Sequence, residues 1–389
     1  MKIEQRKWTA LTGWTLVNSA KVGESAQLVL VFGAVSALEQ PGPRDAIRKL
    51  YPSASIIGCS TAGEICGTEV LDDSLTATAV RFEHSRIKVL SARLGDFEDA
   101  LRAGEFLAKT LSPSLPASDS KTQENLMHVL VFSDGLKVNG SDLVRGLIKH
   151  LPAGITVTGG LAGDGARFQE TLVLCDNVPQ KDTIIALGLY GNRLKIGFGS
   201  LGGWDSFGPE RLITRSNGNV LYELDGQSAL GLYKKYLGEH AKQLPASGLL
   251  FPLSLRTKTG DTAVVRTILS IDEKEQNMTF AGDVPEGAYA RLMKANFDRL
   301  IDGAAGAART SYQAIDSSSP DLAILISCVG RKLVLKQRVE EEVEGVRDVM
   351  GPHTALTGFY SYGEISPFTP GAKCELHNQT MTITTLSET

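Results

Sequence analysis

The sequence predicts an α/β protein built from duplicated βαβ-containing modules with mixed sheets. Three observations predict it. The octets Gly-Cys-Ser-Thr-Ala-Gly-Glu-Ile at 58–65 and Gly-Phe-Tyr-Ser-Tyr-Gly-Glu-Ile at 358–365 carry the same glycine punctuation 300 positions apart. Each octet closes an apolar run, an amphipathic segment and a second apolar run within about 30 residues, the size of one βαβ unit. A third, looser copy lies between them and ends on Gly-Gly-Leu-Ala-Gly-Asp at 159–164.

In the first copy, Leu-Val-Leu-Val-Phe at 28–32 leads through residues 44–51 into Ala-Ser-Ile-Ile at 54–57. In the middle copy, Val-Leu-Val-Phe at 129–132 leads through residues 141–151 into Ile-Thr-Val-Thr at 155–158. Its helix follows from spacing, since Leu143, Val144, Leu147, Ile148 and Leu151 share one face at a 3.6-residue period. In the last copy, Leu-Ala-Ile-Leu-Ile at 322–326 leads through Val339, Val343, Val346 and Met350, again one helical face, into Thr-Ala-Leu-Thr at 354–357. Between the copies, the Pro/Ser-rich run at 112–124 reads as an exposed loop. From Ile184 to Ile213, apolar runs broken by Gly191, Gly197, Gly199 and Gly202 read as strands joined by tight turns. Residues 219–244 read as helix, 249–282 as strands with a buried one at 263–269, and 285–309 as helix. The boundary falls near Asn219, dividing the chain into 1–218 and 219–389.

Open α/β sheets place ligands outside the carboxyl ends of their strands, so function is expected near the three glycine turns. Glu64, Asp164 and Glu364 each follow a glycine there. Glu64 and Glu364 are expected to be structural, accepting hydrogen bonds that hold their turns.

A chain of 389 residues with 42% apolar content can bury a substantial core. A net charge of −4 without a basic stripe argues against nucleic acid as a partner. The one local basic excess, 331–338, is expected to be a solvated strand or turn. The amino end has no apolar leader region and no stretch approaches the ~18 apolar residues of a membrane span, so a cytoplasmic protein without membrane insertion is expected. Five cysteines, odd in number and without paired spacing, fit a reduced compartment.

Gly197-Phe-Gly-Ser-Leu-Gly202 satisfies G-x-G-x-x-G, yet no helix opens at its last glycine, so it reads as a β-turn series rather than a phosphate cradle. No phosphate loop, H-E-x-x-H or G-x-S-x-G motif occurs. Cys374 and His377 have metal-like spacing but no matching second pair.

The two octets and the Gly-Gly-Leu-Ala-Gly-Asp run at 159–164, together with Trp204, Thr-Arg-Ser-Asn-Gly-Asn at 214–219, Ser-Cys-Val-Gly-Arg at 327–331 and His-Asn-Gln-Thr at 377–380, resemble the FIST sensory proteins over nearly the whole chain. The resemblance implies a FIST N-type ligand-sensing module at 1–218 and a FIST C-type module at 219–389, acting as a cytoplasmic input to signal transduction. Without room for an output domain, the chain resembles the stand-alone, haem-containing branch that senses nitric oxide and works with a separate histidine kinase. The implied cofactor is haem b.

A haem needs an imidazole or soft ligand in an apolar pocket, and six histidines are available. Around His240, the residues Leu232, Tyr233, Tyr236, Leu237 and Leu244 recur at helical spacing, which would place the imidazole on an apolar helix face. His240 is therefore the expected iron ligand, with Tyr233, Tyr236 and Leu237 around it, and His377 is the alternative. A buried histidine donating to a backbone carbonyl explains the same pattern. His84, His128, His150 and His353 are expected to be surface or structural.

The competing reading is a module without haem, in which Cys59, Ser60, Thr61, Tyr360, Ser361 and Tyr362 enclose a small polar metabolite such as an amino acid. Arg266 or Arg331 would take its carboxylate, and His377 and Asn378 would orient it. An enzyme with Cys59 as nucleophile is the third possibility. No histidine lies near Cys59 in the sequence to activate it, so the chain is expected not to be an enzyme. Assembly into a homo-oligomer is compatible with each of these readings.

Overall fold

The computed structural model describes residues 1–19, 21–113, 115–116, 123–257, 263–316, 319–368 and 371–389. Three βαβ units form its frame. In the first, strands Leu28–Gly33 and Ser55–Ser60 run parallel, joined through helix Pro41–Leu50. In the second, Leu126–Ser133 and Thr156–Leu161 are joined through Gly140–His150, and in the third, Leu322–Cys328 and Ala355–Ser361 through Val339–Met350. Most of the periodic apolar residues do what their spacing predicts: Leu143, Val144 and Leu147, and Val343, Val346 and Met350, are buried, whereas Leu151 and Val339 are half-buried and Ile148 is exposed. Asn139 caps its helix by accepting from the N–H groups of Ser141 and Asp142.

The three glycines expected at equivalent strand ends lie instead inside the second strands, Ser55–Ser60, Thr156–Leu161 and Ala355–Ser361, but they are equivalent in register. Gly58 lies opposite Val31, Gly159 opposite Val131 and Gly358 opposite Leu325. A Cβ on any of them would come within 1.7–2.0 Å of the carbonyl oxygen of that partner, so only glycine lets the two strands close.

Each sheet is mixed, because an antiparallel strand flanks each first strand: Leu75–Arg81, Thr183–Tyr190 and Met381–Glu388 respectively. The other edge is supplied cyclically by a different unit. The strand after the first turn, Glu64–Cys66, pairs with Ala355–Ser361 of the third unit. Gly363–Pro367 of the third pairs with Thr156–Leu161 of the second, and Val173–Cys175 of the second pairs with Ser55–Ser60 of the first. The sheets thus close into a ring whose centre is apolar. Phe32, Phe132 and Phe359, one from each unit, meet there with ring centroids 4.7–6.0 Å apart.

Between Leu194–Leu201 and helix Phe297–Gln313 the chain inserts a further antiparallel body with its own core of Ile213, Leu221, Tyr233, Leu253 and Phe280. Here the sequence expectations are corrected. Residues 219–244 begin as strand Val220–Leu224, and the helix covers only Ala229–Leu237. The strand at 263–269 divides at Thr267 into Val264–Arg266 and Ile268–Asp272, leaving Leu269 exposed. Within 285–309, Tyr289–Lys294 is a strand held between Asp205–Asn217 and Leu253–Arg256, and the helix starts only at Phe297. Pairing on both edges outweighs the helical preference of its Ala, Arg, Leu and Met. The division after residue 218 falls in the turn of a hairpin that pairs Asn217 with Val220, inside this body. The G-x-G-x-x-G run lies mostly in strand Leu194–Leu201, as expected of a β segment. Of the run at 112–124, Leu115–Pro116 pairs with Gln123–Glu124, and 117–122 lie outside the described residues.

Candidate functional site

The glycine turns converge, and they do so by binding one another. Ala62 N–H donates to the Tyr360 carbonyl and Tyr360 N–H to that of Gly63, both at 2.8 Å; Gly163 N–H reaches the Ser60 carbonyl at 2.9 Å. Two of the turns repeat one motif. Glu64 accepts from Thr61 and from Ser74, each at 2.5 Å, while Glu364 accepts from Ser361 at 2.5 Å and from the N–H and hydroxyl of Thr380 at 3.1 and 3.0 Å. Ser74 and Thr380 each precede the antiparallel strand of their unit, so each carboxylate ties a turn to the strand beside it. This is the structural role expected of both. Burial pushes Glu64 up to about 7 and Glu364 up to about 8, against the hydroxyl bonds that favour the charged form. In the middle unit, Asp164 accepts from Tyr362 Oη and from the N–H groups of Phe168, Gln169 and Glu170. Phe168 stacks on Tyr362 at 4.4 Å.

The residues expected to enclose a metabolite are brought together, but as parts of this joint. Cys59 points into the apolar centre, and burial raises its thiol well above the ordinary value, the reverse of an activated nucleophile. Ser60 Oγ accepts from Leu172 N–H at 2.8 Å, Thr61 and Ser361 serve the two glutamates, and Tyr360 donates to Glu342 at 2.6 Å. Asn378 reaches the Tyr362 carbonyl at 3.5 Å.

The 331–338 segment is corrected most sharply. Only its end, Lys336–Arg338, is a solvated turn; before it, helix Val329–Leu335 buries Arg331 completely. Its guanidinium holds the buried Glu342 at 2.8 and 3.0 Å, donates to the Leu300 carbonyl at 2.6 Å and also binds the Gly202 carbonyl. Ser327 and Tyr360 complete the Glu342 carboxylate. Arg331 is therefore unavailable to a ligand. The Ser-Cys-Val-Gly-Arg run carried this network in the sequence, whereas Glu342, one of three consecutive glutamates, had no distinguishing mark there.

His240 is placed differently from its expectation. Its helix stops at Leu237, because Gly238 turns at φ 56°, and the 3.6-residue face does not continue to position 240. Tyr233 and Leu237 enter the core of the inserted body, with Tyr233 Oη on the Phe251 carbonyl at 2.6 Å, and Tyr236 Oη accepts from Arg211 at 2.6 Å. His240 is exposed on a 3-10 turn with its ring 5.2 Å from Phe251. His377 is buried at the end of strand Cys374–His377, where its Nε2 donates to the Ser366 carbonyl at 2.9 Å and burial holds it down at about 4, hence neutral. Cys374 donates instead to the Val157 carbonyl. Among the described residues, no cluster of three or more His, Cys, Asp and Glu side chains is arranged around a metal position. Neither His240 nor His377 lines the cavities described next, so the imidazoles do not fit a haem held there. His128 is wholly buried between Thr156 and Thr158, a structural histidine, while His84 and His353 are exposed.

Two cavities lie where the inserted body meets the ring. The smaller, about 250 Å³, is lined by Tyr362, Phe168, Asn139, Asn219 and Phe280. The larger, about 660 Å³, lies between helix Gly140–His150, the inserted strands Leu253–Arg256 and Val264–Arg266, and strand Cys374–His377. Val144, Ile148, Leu255, Val264, Ala288 and Leu376 give it apolar walls, and Arg266 reaches into it.

A cyclic frame of βαβ units, with an inserted body forming cavities against it, defines a two-module α/β protein of the ligand-binding kind. The FIST N domain matches residues 27–227 and the FIST C domain residues 229–367, so the chain belongs to the FIST family of sensory proteins. It is similar to an uncharacterized protein of Methanocaldococcus jannaschii, 24% identical over 343 residues that cover 83% of this chain. The aligned part is 64% of that relative's length. No helix among the described residues is long and apolar enough to cross a membrane.

Proposed function

We propose that this protein senses a small polar metabolite in the cavity of about 660 Å³ between its two modules, acting by binding rather than turnover. The supporting observation is that the walls come from both: helix Gly140–His150 lies in the FIST N match, and Leu253–Arg256 and Val264–Arg266 in the FIST C match. A ligand there touches two bodies at once and favours the arrangement in which both fit it, which is the physical requirement for a signal. The volume is in the range of metabolite sites. The response then passes to a separate signalling protein, such as the histidine kinase implied by the family resemblance, in the cytoplasm.

The form of the proposal with haem b and nitric oxide, ligated by His240 or His377, draws no support from the placement of either imidazole. The metabolite form is therefore preferred. Ile148 lines the cavity and is 39% exposed, so Ile148→Trp fills space without disturbing the core. Screening a metabolite set by melting temperature is expected to find compounds that stabilise the wild type and have no effect on Ile148→Trp. A Soret band in the purified protein, with melting insensitive to every metabolite, would favour the haem form instead.

A further inference from the structure

Arg266 ends the strand Val264–Arg266 and is only 6% exposed, yet it lines the larger cavity. Its Nε donates to the Asp283 carbonyl at 3.0 Å, and its Nη1 to the carbonyls of Leu376 at 2.9 Å and Val265 at 3.3 Å. Among the described residues its Nη2 has no hydrogen-bond acceptor, and no carboxylate lies within ion-pairing distance of the guanidinium. The two acids on the same wall, Glu375 and Asp283, attract it from a distance without forming an ion pair with it. The Asp283 carboxylate faces Arg145 at 3.5 Å and Asn139 at 3.4 Å, and Glu375 is exposed. Among the described residues the other buried arginine, Arg331, has its carboxylate in place at 2.8 Å. Burial pulls the Arg266 guanidinium below its usual range and outweighs the opposing attraction of Glu375 and Asp283.

Buried cations are as a rule paired, and Arg266, which has no ion-pair partner among the described residues, lines the cavity. We infer that Arg266 is the anion receptor of this cavity, so that the ligand carries a carboxylate or phosphate group on Arg266 and an apolar body against Val144, Leu255 and Ala288. The backbone carbonyls on Nε and Nη1 fix the plane of the guanidinium in advance, which is how a fork of donors selects an oxyanion. Of the other cations lining the cavity, Arg256 holds Glu210 at 2.5 Å and Arg145 holds Asp142, while Lys373 is exposed to solvent, which leaves Arg266 as the buried cation of the wall without an ion pair among the described residues. This assignment rests on the reading of the cavity as the sensing site.

The test is the melting temperature of the full chain titrated with succinate, inorganic phosphate and the neutral diamide succinamide. At least one anion is expected to raise it saturably, with an apparent affinity on the order of tenfold or more above succinamide, and the better anion names the group. Arg266→Met is expected to remove this response and Arg266→Lys to retain part of it, since a point charge keeps attraction and loses the fork. Ile148→Trp separates binding in the cavity from general salt stabilisation. Equal responses to succinate and succinamide in the wild type, which do not depend on any variant folding, would overturn the assignment. So would an unchanged anion response in Arg266→Met. Protection by neutral compounds alone, abolished by Ile148→Trp, overturns the anion receptor and leaves the sensing cavity standing. Absence of any compound whose effect depends on Ile148→Trp overturns both.

Discussion

Glu64 and Glu364 sit where water does not reach, each surrounded by hydroxyl groups that can donate or accept. Because desolvation raises both above the ordinary 4.5, to about 7 and about 8, the folded chain holds these protons more tightly than the unfolded one. Stability from this source is complete below pH of about 4.5 and is lost as pH rises through about 7 and about 8. Glu64→Gln and Glu364→Gln are expected to flatten that decline, the difference from wild type growing to a few kcal/mol at alkaline pH. Urea melts from pH 4 to 9 read it directly, and parallel wild-type and variant curves would show that neither carboxyl titrates in this window. The duplication of Gly-Glu made these two residues visible in the sequence. Arg331 shows the limit of such reading: a lone basic cluster looks solvated until the fold puts Glu342 against it.

Strand–helix–strand segments were legible because a period of 3.6 or an apolar run of five survives in any context that gives it one buried face. The glycines inside their second strands were legible by their repetition, and the physical reason for them is a single contact with a carbonyl oxygen of the neighbouring strand. Gly58→Ala, Gly159→Ala and Gly358→Ala are each expected to cost more than about 3 kcal/mol or to prevent folding, since the clash is with backbone and cannot rotate away. Gly345→Ala is the control. It lies inside helix Val339–Met350, where an added Cβ would make only an ordinary contact with Ala305 at 3.7 Å, and is expected to be stabilising by about 0.5–1 kcal/mol. Circular-dichroism melts of the four variants give the comparison, and tolerance of alanine at the three strand positions would contradict the register. The helix assigned to 285–309 failed at its start for the opposite reason, because ladder partners 80 residues upstream decided that Tyr289–Lys294 would be a strand.

At the scale of the molecule, the sheets exchange strands in a closed cycle, and the first unit cannot complete its sheet without the second, nor the second without the third. The apolar centre is shared among all three. Although two domains of the family divide the chain, the ring is expected to unfold in one cooperative step, with near-ultraviolet and far-ultraviolet dichroism coincident in urea. Residues 1–218 expressed alone are expected to lack fixed tertiary packing, since they lose both Gly363–Pro367 and the partner of Glu64–Cys66, and to regain it when 219–389 is supplied. A fragment 1–218 that melts cooperatively by itself would contradict the exchange.

The sequence by itself determined the class of fold, the three units and their equivalent glycines, because local periodicity and repetition are properties of neighbouring residues. It also determined the family, since several short motifs stand in order along the chain. Only the tertiary structure decided that the turns are fastened to one another, that His240 falls beyond the end of its helix, and that Arg331 is paired while Arg266 is not. Each of these depends on which groups meet across 10 to 300 positions, and burial, which turns an ordinary arginine into a receptor or a strut, is a property of the packed chain alone.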